Sequence, residues 1–124
     1  PHKVPLFSIE ERLEMLQEEL RAFDNVSVET FCGLSVDYAK QKNAIAIVRG
    51  LRAVTDFEFE FKLAAMNRNL EQTIETVFMM TSSEYSFISS SAVKEVAEFG
   101  GNVSKWVSPR VAALLRDKFN HGER

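Results

Sequence analysis

Helices layered on a parallel sheet, an α/β architecture, are what three features of this chain imply. Ala44-Ile45-Ala46-Ile47-Val48 and Thr76-Val77-Phe78-Met79-Met80 are apolar runs of strand length, the pattern of strands covered on both faces of a parallel sheet. Segments of helical periodicity stand between and around them, an alternation that implies right-handed crossovers. Each run is also followed by a polar segment that opens a helix. After the first comes Arg49-Gly50-Leu51-Arg52-Ala53-Val54-Thr55-Asp56-Phe57-Glu58-Phe59-Glu60, and after the second Ser86-Phe87-Ile88-Ser89-Ser90-Ser91-Ala92-Val93-Lys94. In an open α/β sheet such junctions turn backbone amides and helix N-termini toward an anionic ligand, so two of them imply a nucleotide phosphate site.

From the N-terminus, Pro1-His2-Lys3-Val4-Pro5 has no initiating Met and reads as the tail of a loop, so an N-terminal piece is expected to be missing. Ser8 and Glu11 have capping-box spacing, and Leu13, Leu16 and Leu20 recur at helical intervals, which predicts a helix over residues 9–22. Asn25 breaks that pattern, and Val26-Ser27-Val28-Glu29-Thr30 alternates as a short strand. Phe31-Cys32-Gly33-Leu34 is the next loop, and residues 35–42 form a short helix with Asn43 as its C-cap. The apolar strand that follows ends at Arg49-Gly50.

Phe57-Glu58-Phe59-Glu60-Phe61 alternates and so also fits a strand. Helix is preferred because Asp56 can cap it, acids fill its first turn, and Phe57, Phe61, Ala64, Ala65, Asn67 and Arg68 continue at helical spacing. After the strand at residues 76–80 comes a polar loop, Thr81-Ser82-Ser83-Glu84-Tyr85; Ser89 or Ser90 then caps a helix that stops at Gly100-Gly101. Ser108-Pro109 opens a last helix to residue 119. Three strands carrying helices on both faces leave apolar surface uncovered, which points to absent N-terminal strands or to a partner that supplies them.

At 124 residues and 14.1 kDa the chain, residues 1–124, is expected to be one domain. A formal charge of -3 and a pI near 5.4 argue against general binding of nucleic acid or acidic membrane, which needs a net positive field. Cys32 is the sole cysteine and cannot form an intrachain disulfide, which fits a reducing cytoplasm. His2 and His121, both near the ends, make no zinc spacing with it. No apolar run approaches the ~20 residues a bilayer span needs, and no signal-peptide pattern is present, so a soluble protein is expected.

The loops at residues 31–35, 49–52 and 81–91 should share the carboxyl edge of the sheet, where this architecture binds ligands. Gly50 allows close backbone approach, and Arg49 and Arg52 offer cationic forks for phosphate oxygens. Surface pairing of those arginines with Asp56 and Glu58 is the alternative. A helix cap would use one of Ser89, Ser90 and Ser91; three in succession fit a phosphate cradle better. Phe57, Phe59, Phe61, Phe78, Met79 and Met80 are expected in the core. Glu60 either faces solvent or accepts from a nucleotide hydroxyl, and Tyr85 either stacks on a base or is an ordinary loop tyrosine. No Ser/His/Asp or Cys/His constellation can be assembled, so positioning and charge neutralisation, as in phosphoryl-type transfer, fit better than a protein nucleophile.

Taken together, Lys3-Val4-Pro5-Leu6-Phe7-Ser8-Ile9-Glu10-Glu11-Arg12, the Arg49-Gly50-Leu51-Arg52-Ala53 segment with Asp56-Phe57-Glu58-Phe59-Glu60, Met66-Asn67-Arg68, and Tyr85-Ser86-Phe87-Ile88-Ser89-Ser90-Ser91 resemble the bacterial pantetheine-phosphate adenylyltransferase family, from Pro1 to about Phe119. The resemblance implies a Rossmann-like parallel sheet of the nucleotidyltransferase superfamily. It implies adenylyl transfer from ATP to 4'-phosphopantetheine, giving dephospho-CoA and pyrophosphate with Mg2+ carried by ATP, in a cytoplasmic homohexamer of coenzyme A synthesis. By the same resemblance Lys3 and Arg49 would bind the pantetheine phosphate and the backbone at Leu34 and Ser35 the pantetheine arm. Gly50, Leu51, Arg52, Glu60, Tyr85, Ser86, Phe87, Ile88, Ser89, Ser90 and Ser91 would bind ATP. Lys3 and Arg52 would be catalytic, offsetting charge between two polyanions.

The chain also departs from that family. A first strand ending in Gly-Ser/Thr-Phe-Asp-Pro and a following Gly-His pair are not in the sequence, and Ser35 stands where a larger apolar residue is usual. The expectation is therefore a protein lacking its N-terminal strands and inactive in this form. A non-catalytic remnant that binds nucleotide or oligomerises is the alternative.

Overall fold

Two strands, β1 (Ala46–Leu51) and β2 (Glu75–Met80), pair in parallel in a computed structural model that describes residues 5–120. Their register sets Ala46 beside Glu75 and Leu51 beside Met80. The ladder is prolonged at both ends, by Glu75 N–H to the Ile45 carbonyl at 3.1 Å and Thr81 N–H to the Leu51 carbonyl at 2.9 Å. Among the described residues there are also five α-helices: α1 (Ile9–Glu19), α2 (Ser35–Gln41), α3 (Phe57–Leu70), α4 (Ser90–Glu98) and α5 (Pro109–Lys118). The chain divides into two compact units, Pro1–Thr30 with Ser90–Arg124, and Phe31–Ser89.

In the sheet unit, Phe31–Ser89, side chains alternate across β1 and β2. Ile47, Arg49 and Leu51 share the better-covered face, where Phe61 of α3 meets Phe78 of β2 edge to face at 5.5 Å. Val48, Val77 and Met79 are all exposed. The expected alternation of strand, helix and strand is borne out here. So is the choice of helix over strand for residues 57–61, because the Asp56 carboxylate accepts from Phe59 N–H at 3.0 Å and nucleates the first turn. Asn43, expected to end α2, follows its last turn with φ of 57°, the left-handed conformation that Asn tolerates at C′. Lys40 then pairs with Glu71 at 3.0 Å, fastening α2 to the end of α3.

The helical unit is built on local signals. Ser8 and Glu11 form the predicted capping box, at 2.9 and 3.1 Å, and Ser108 caps α5 with Pro109 at its first position. At its far end α4 stops as expected. Gly101 N–H reaches the Val96 carbonyl at 2.8 Å while Gly100 takes φ of 77°, the Schellman arrangement. A Cβ on Gly101 would lie 2.6 Å from Val96 Cγ1, so this turn requires glycine. Lys118 meets Glu11 at 3.0 Å, and Ser108 donates to Glu19, which binds α1 to α5.

Three expectations are corrected. Residues 26–30 are irregular and largely exposed rather than a strand, because alternation supplies side-chain spacing but a strand also needs a ladder partner, and no described segment pairs with it. Strand β1 runs past Arg49-Gly50 to Leu51, since pairing with β2 continues there. Finally, Phe57, Phe59, Phe61, Met79 and Met80 are exposed instead of core, with Met80 at 72%. Their period suits burial, yet no described layer covers them.

Candidate phosphate-binding site

Parallel pairing brings the carboxyl ends of β1 and β2 to the same edge, so the chain leaves both strands side by side at Leu51 and Met80. Beyond β1, residues 52–55 close into a tight turn. Thr55 N–H bonds the Arg52 carbonyl at 3.0 Å, and Arg52 N–H is taken by Thr55 Oγ1 at 2.8 Å. Beyond β2, a short 3-10 turn (Ser83–Tyr85) folds the chain back. Ala53 N–H then bonds both the Ser86 carbonyl, at 3.1 Å, and Ser86 Oγ, at 3.0 Å. The Arg52 guanidinium donates to the Ile88 carbonyl. Two post-strand loops separated by more than thirty residues are thereby braced into one rim.

The two arginines have different partners. Arg49 points to the α3 side of the sheet and makes a two-point contact with Glu60, Nε to Oε1 and Nη2 to Oε2 both at 2.7 Å. Glu60 is the one buried charged side chain among the described residues, at 7% exposure. This geometry matches guanidinium to carboxylate, and it makes the acid easier to ionise. The Arg49 hydrogen bond holds the Glu60 carboxyl below its ordinary range, and the same bond pushes the Arg49 guanidinium further up. Arg52, by contrast, spends one donor on Ile88 and has no acid partner among the described residues. Most of its N–H groups remain available to an anion.

Neither arginine therefore pairs with Asp56 or Glu58: Asp56 caps α3, and Glu58 bonds Lys62 at 3.1 Å. Gly50 lies on the open face of β1, and a Cβ built there would meet nothing within 4 Å. Leu51 is buried. Tyr85 and Phe87 are exposed on the second loop, while Ser86, Ile88 and Ser89 are half-buried. Ser90 and Ser91 open α4, in the helical unit, where both are exposed. Ser35 is the first residue of α2, and the preceding loop follows no strand; Phe31 stacks on Tyr38 at 4.5 Å instead. Lys3 lies outside the described residues, as do His2 and His121.

Sequence reasoning missed Thr55 and Ser86 as the braces of this rim, and Glu60 as the partner of Arg49. A Thr three residues after Arg52 was the signal for the first. The other two contacts join residues far apart in the chain, and no spacing rule reaches them. Among the described residues, no three His, Cys, Asp or Glu side chains gather where a metal ion could be held. Nor is any helix among them long and apolar enough to cross a membrane.

A parallel sheet whose strand ends carry an arginine with no acid partner among the described residues, beside a braced serine loop, has the ligand-binding edge of an open α/β fold. Residues 1–96 match the cytidylyltransferase-like family model, and the chain belongs to that family. Its domain is of the nucleotidyltransferase kind, with nucleotide binding and nucleotidyl transfer as the general chemistry.

Proposed function

We propose that this protein is a pantetheine-phosphate adenylyltransferase that holds ATP and 4'-phosphopantetheine for direct adenylyl transfer. A phosphate oxygen of phosphopantetheine attacks the α-phosphorus of ATP, the bond to the β-phosphate oxygen breaks, and pyrophosphate leaves with the electron pair. Dephospho-CoA is the product. Magnesium enters with ATP, and no covalent enzyme intermediate forms.

The observation that carries this reading is the braced rim, which keeps the Arg52 guanidinium at the strand end with donors to spare. Electrostatic stabilisation of this type needs fixed donors that do not have to reorganise as charge develops. Arg49 and Lys3 would meet the pantetheine phosphate, with Glu60 aiming Arg49. The Leu34 and Ser35 backbone would meet the pantetheine arm. By the resemblance, Gly50, Leu51, Glu60 and the stretch from Tyr85 to Ser91 would hold ATP. A cytoplasmic homo-oligomer, a hexamer in the family that the sequence resembles, completes the proposal.

The test is pyrophosphate release by the native protein. Release that requires both ATP and phosphopantetheine supports the reading. Release with another phosphate ester in place of phosphopantetheine overturns the substrate assignment. Saturable ATP binding with no release under any pairing favours a non-catalytic nucleotide-binding role.

A further inference from the structure

Inside the helical unit a cavity of about 320 Å3 lies between the end of α4, the glycine turn after it, and α5. Its size falls within the range of small-molecule pockets. Its lining is two-sided. Ala97, Val103 and Ala112 are buried apolar residues, while Asn102, Ser104 and Arg116 bring polar groups to the same space. Among the described residues no hydrogen bond or ion pair engages the Arg116 guanidinium, although the chain carries 18 acids to 15 basic residues. Asn102 Oδ1 accepts from Ser104 N–H at 2.8 Å, which fixes the side chain and leaves its amide N–H groups free to donate. The Ser104 hydroxyl has no partner among the described residues either.

A half-covered guanidinium with no acceptor among the described residues, next to an amide donor, a hydroxyl and an apolar wall, suits a small organic anion. We propose that this cavity binds a small organic carboxylate, its anionic head on Arg116 and Asn102 and its apolar body against Ala97, Val103 and Ala112. The Gly100-Gly101 turn shapes one wall, and its amides are already committed to closing α4, so the recognition falls to the side chains.

Phenylbutyrate and phenylbutyramide share a body and differ in the charge of the head, and titrating each into the isotope-labelled chain tests the site by amide chemical shifts. Phenylbutyrate should give saturable shifts at Gly101, Asn102, Val103 and Ser104, and phenylbutyramide should bind about tenfold more weakly. Arg116→Gln should bring phenylbutyrate down to the affinity of the amide and leave the amide's own affinity unchanged. Ala112→Leu, which fills the cavity, should abolish both. Arg116 is partly exposed, so its variant keeps the proposal testable should the cavity-filling variant fail to fold. Equal binding of the two probes, indifference to Arg116→Gln, or shifts confined to other residues overturns the proposal. None of these readouts involves nucleotide, so they stand apart from the outcome at the strand ends.

Discussion

In the helical unit, Val93, Ala97, Val103, Ala112 and Leu115 are buried where α4, α5 and the segment between them meet, with Leu115 at 3% exposure. In the sheet unit, only Val36, Leu51 and Ile74 are buried apolar residues, while Val48 at 62% and Met79 at 60% stand open on β1 and β2. The α4–α5 part of the helical unit is held by apolar contact, while polar bonds fasten α1 to α5. The sheet unit keeps its strand-end geometry largely through directed polar bonds: Thr55 to Arg52, Ser86 to Ala53, Arg52 to Ile88, and Arg49 to Glu60. Such bonds fix angles better than apolar packing does. An edge proposed to present donors to phosphate would profit from that.

Substitutions can break this contrast. Leu115→Ala should cost about 2–5 kcal/mol in urea-denaturation midpoint analysis, as removal of a buried leucine does. If the loss is much smaller, the helical unit is not held by its core. In the sheet unit the largest effect should be on activity. Arg52→Ala is expected to lower adenylyl transfer by roughly 100- to 1000-fold while the thermal transition stays in place. A variant that instead loses its transition would make Arg52 a structural brace.

Acid titration sharpens the polar side of the contrast. Because Arg49 lowers the Glu60 carboxyl, the folded state binds that proton less tightly than the unfolded chain does. The stabilisation is therefore complete above the ordinary glutamate value, about 4.3, and is lost as pH falls through the lower folded value. Glu60→Gln should flatten that acid limb and leave the slope above about pH 5 unchanged. Glu11 shifts in the same direction, chiefly through the Ser8 amide and then Lys118, so part of the limb should survive the Glu60 change.

Smaller effects follow at the margins. Ser8→Ala removes half of a capping box and should cost about 1 kcal/mol, measured by urea unfolding. Met79→Ser should change stability by no more than ~0.5 kcal/mol, since its side chain is already in water. A large loss at Met79 would mean that something covers that face in solution.

How much of this was legible from sequence follows the range of each interaction. Ser8 with Glu11, Asp56 before α3, Asn43 after α2 and Pro109 at the start of α5 all act within about one turn, and each was readable as spacing. Residues 26–30 had the right alternation, but a strand is defined by its neighbour. Phe59, Met79 and Met80 carry a core composition, and composition does not say which layer covers them. At the site, Arg52 and the loop from Tyr85 to Ser89 were recognisable as chemistry next to strand ends. The Glu60 grip on Arg49 was not, because it forms only when a strand end faces the first turn of the helix that follows.

Gly50 offers a way to sense a guest molecule from the host's own tolerance. The fold leaves empty room where its side chain would stand, so an added methyl group should be nearly silent in the unliganded protein. Any penalty that appears only when nucleotide is added would therefore measure how near the visitor comes to the backbone of β1.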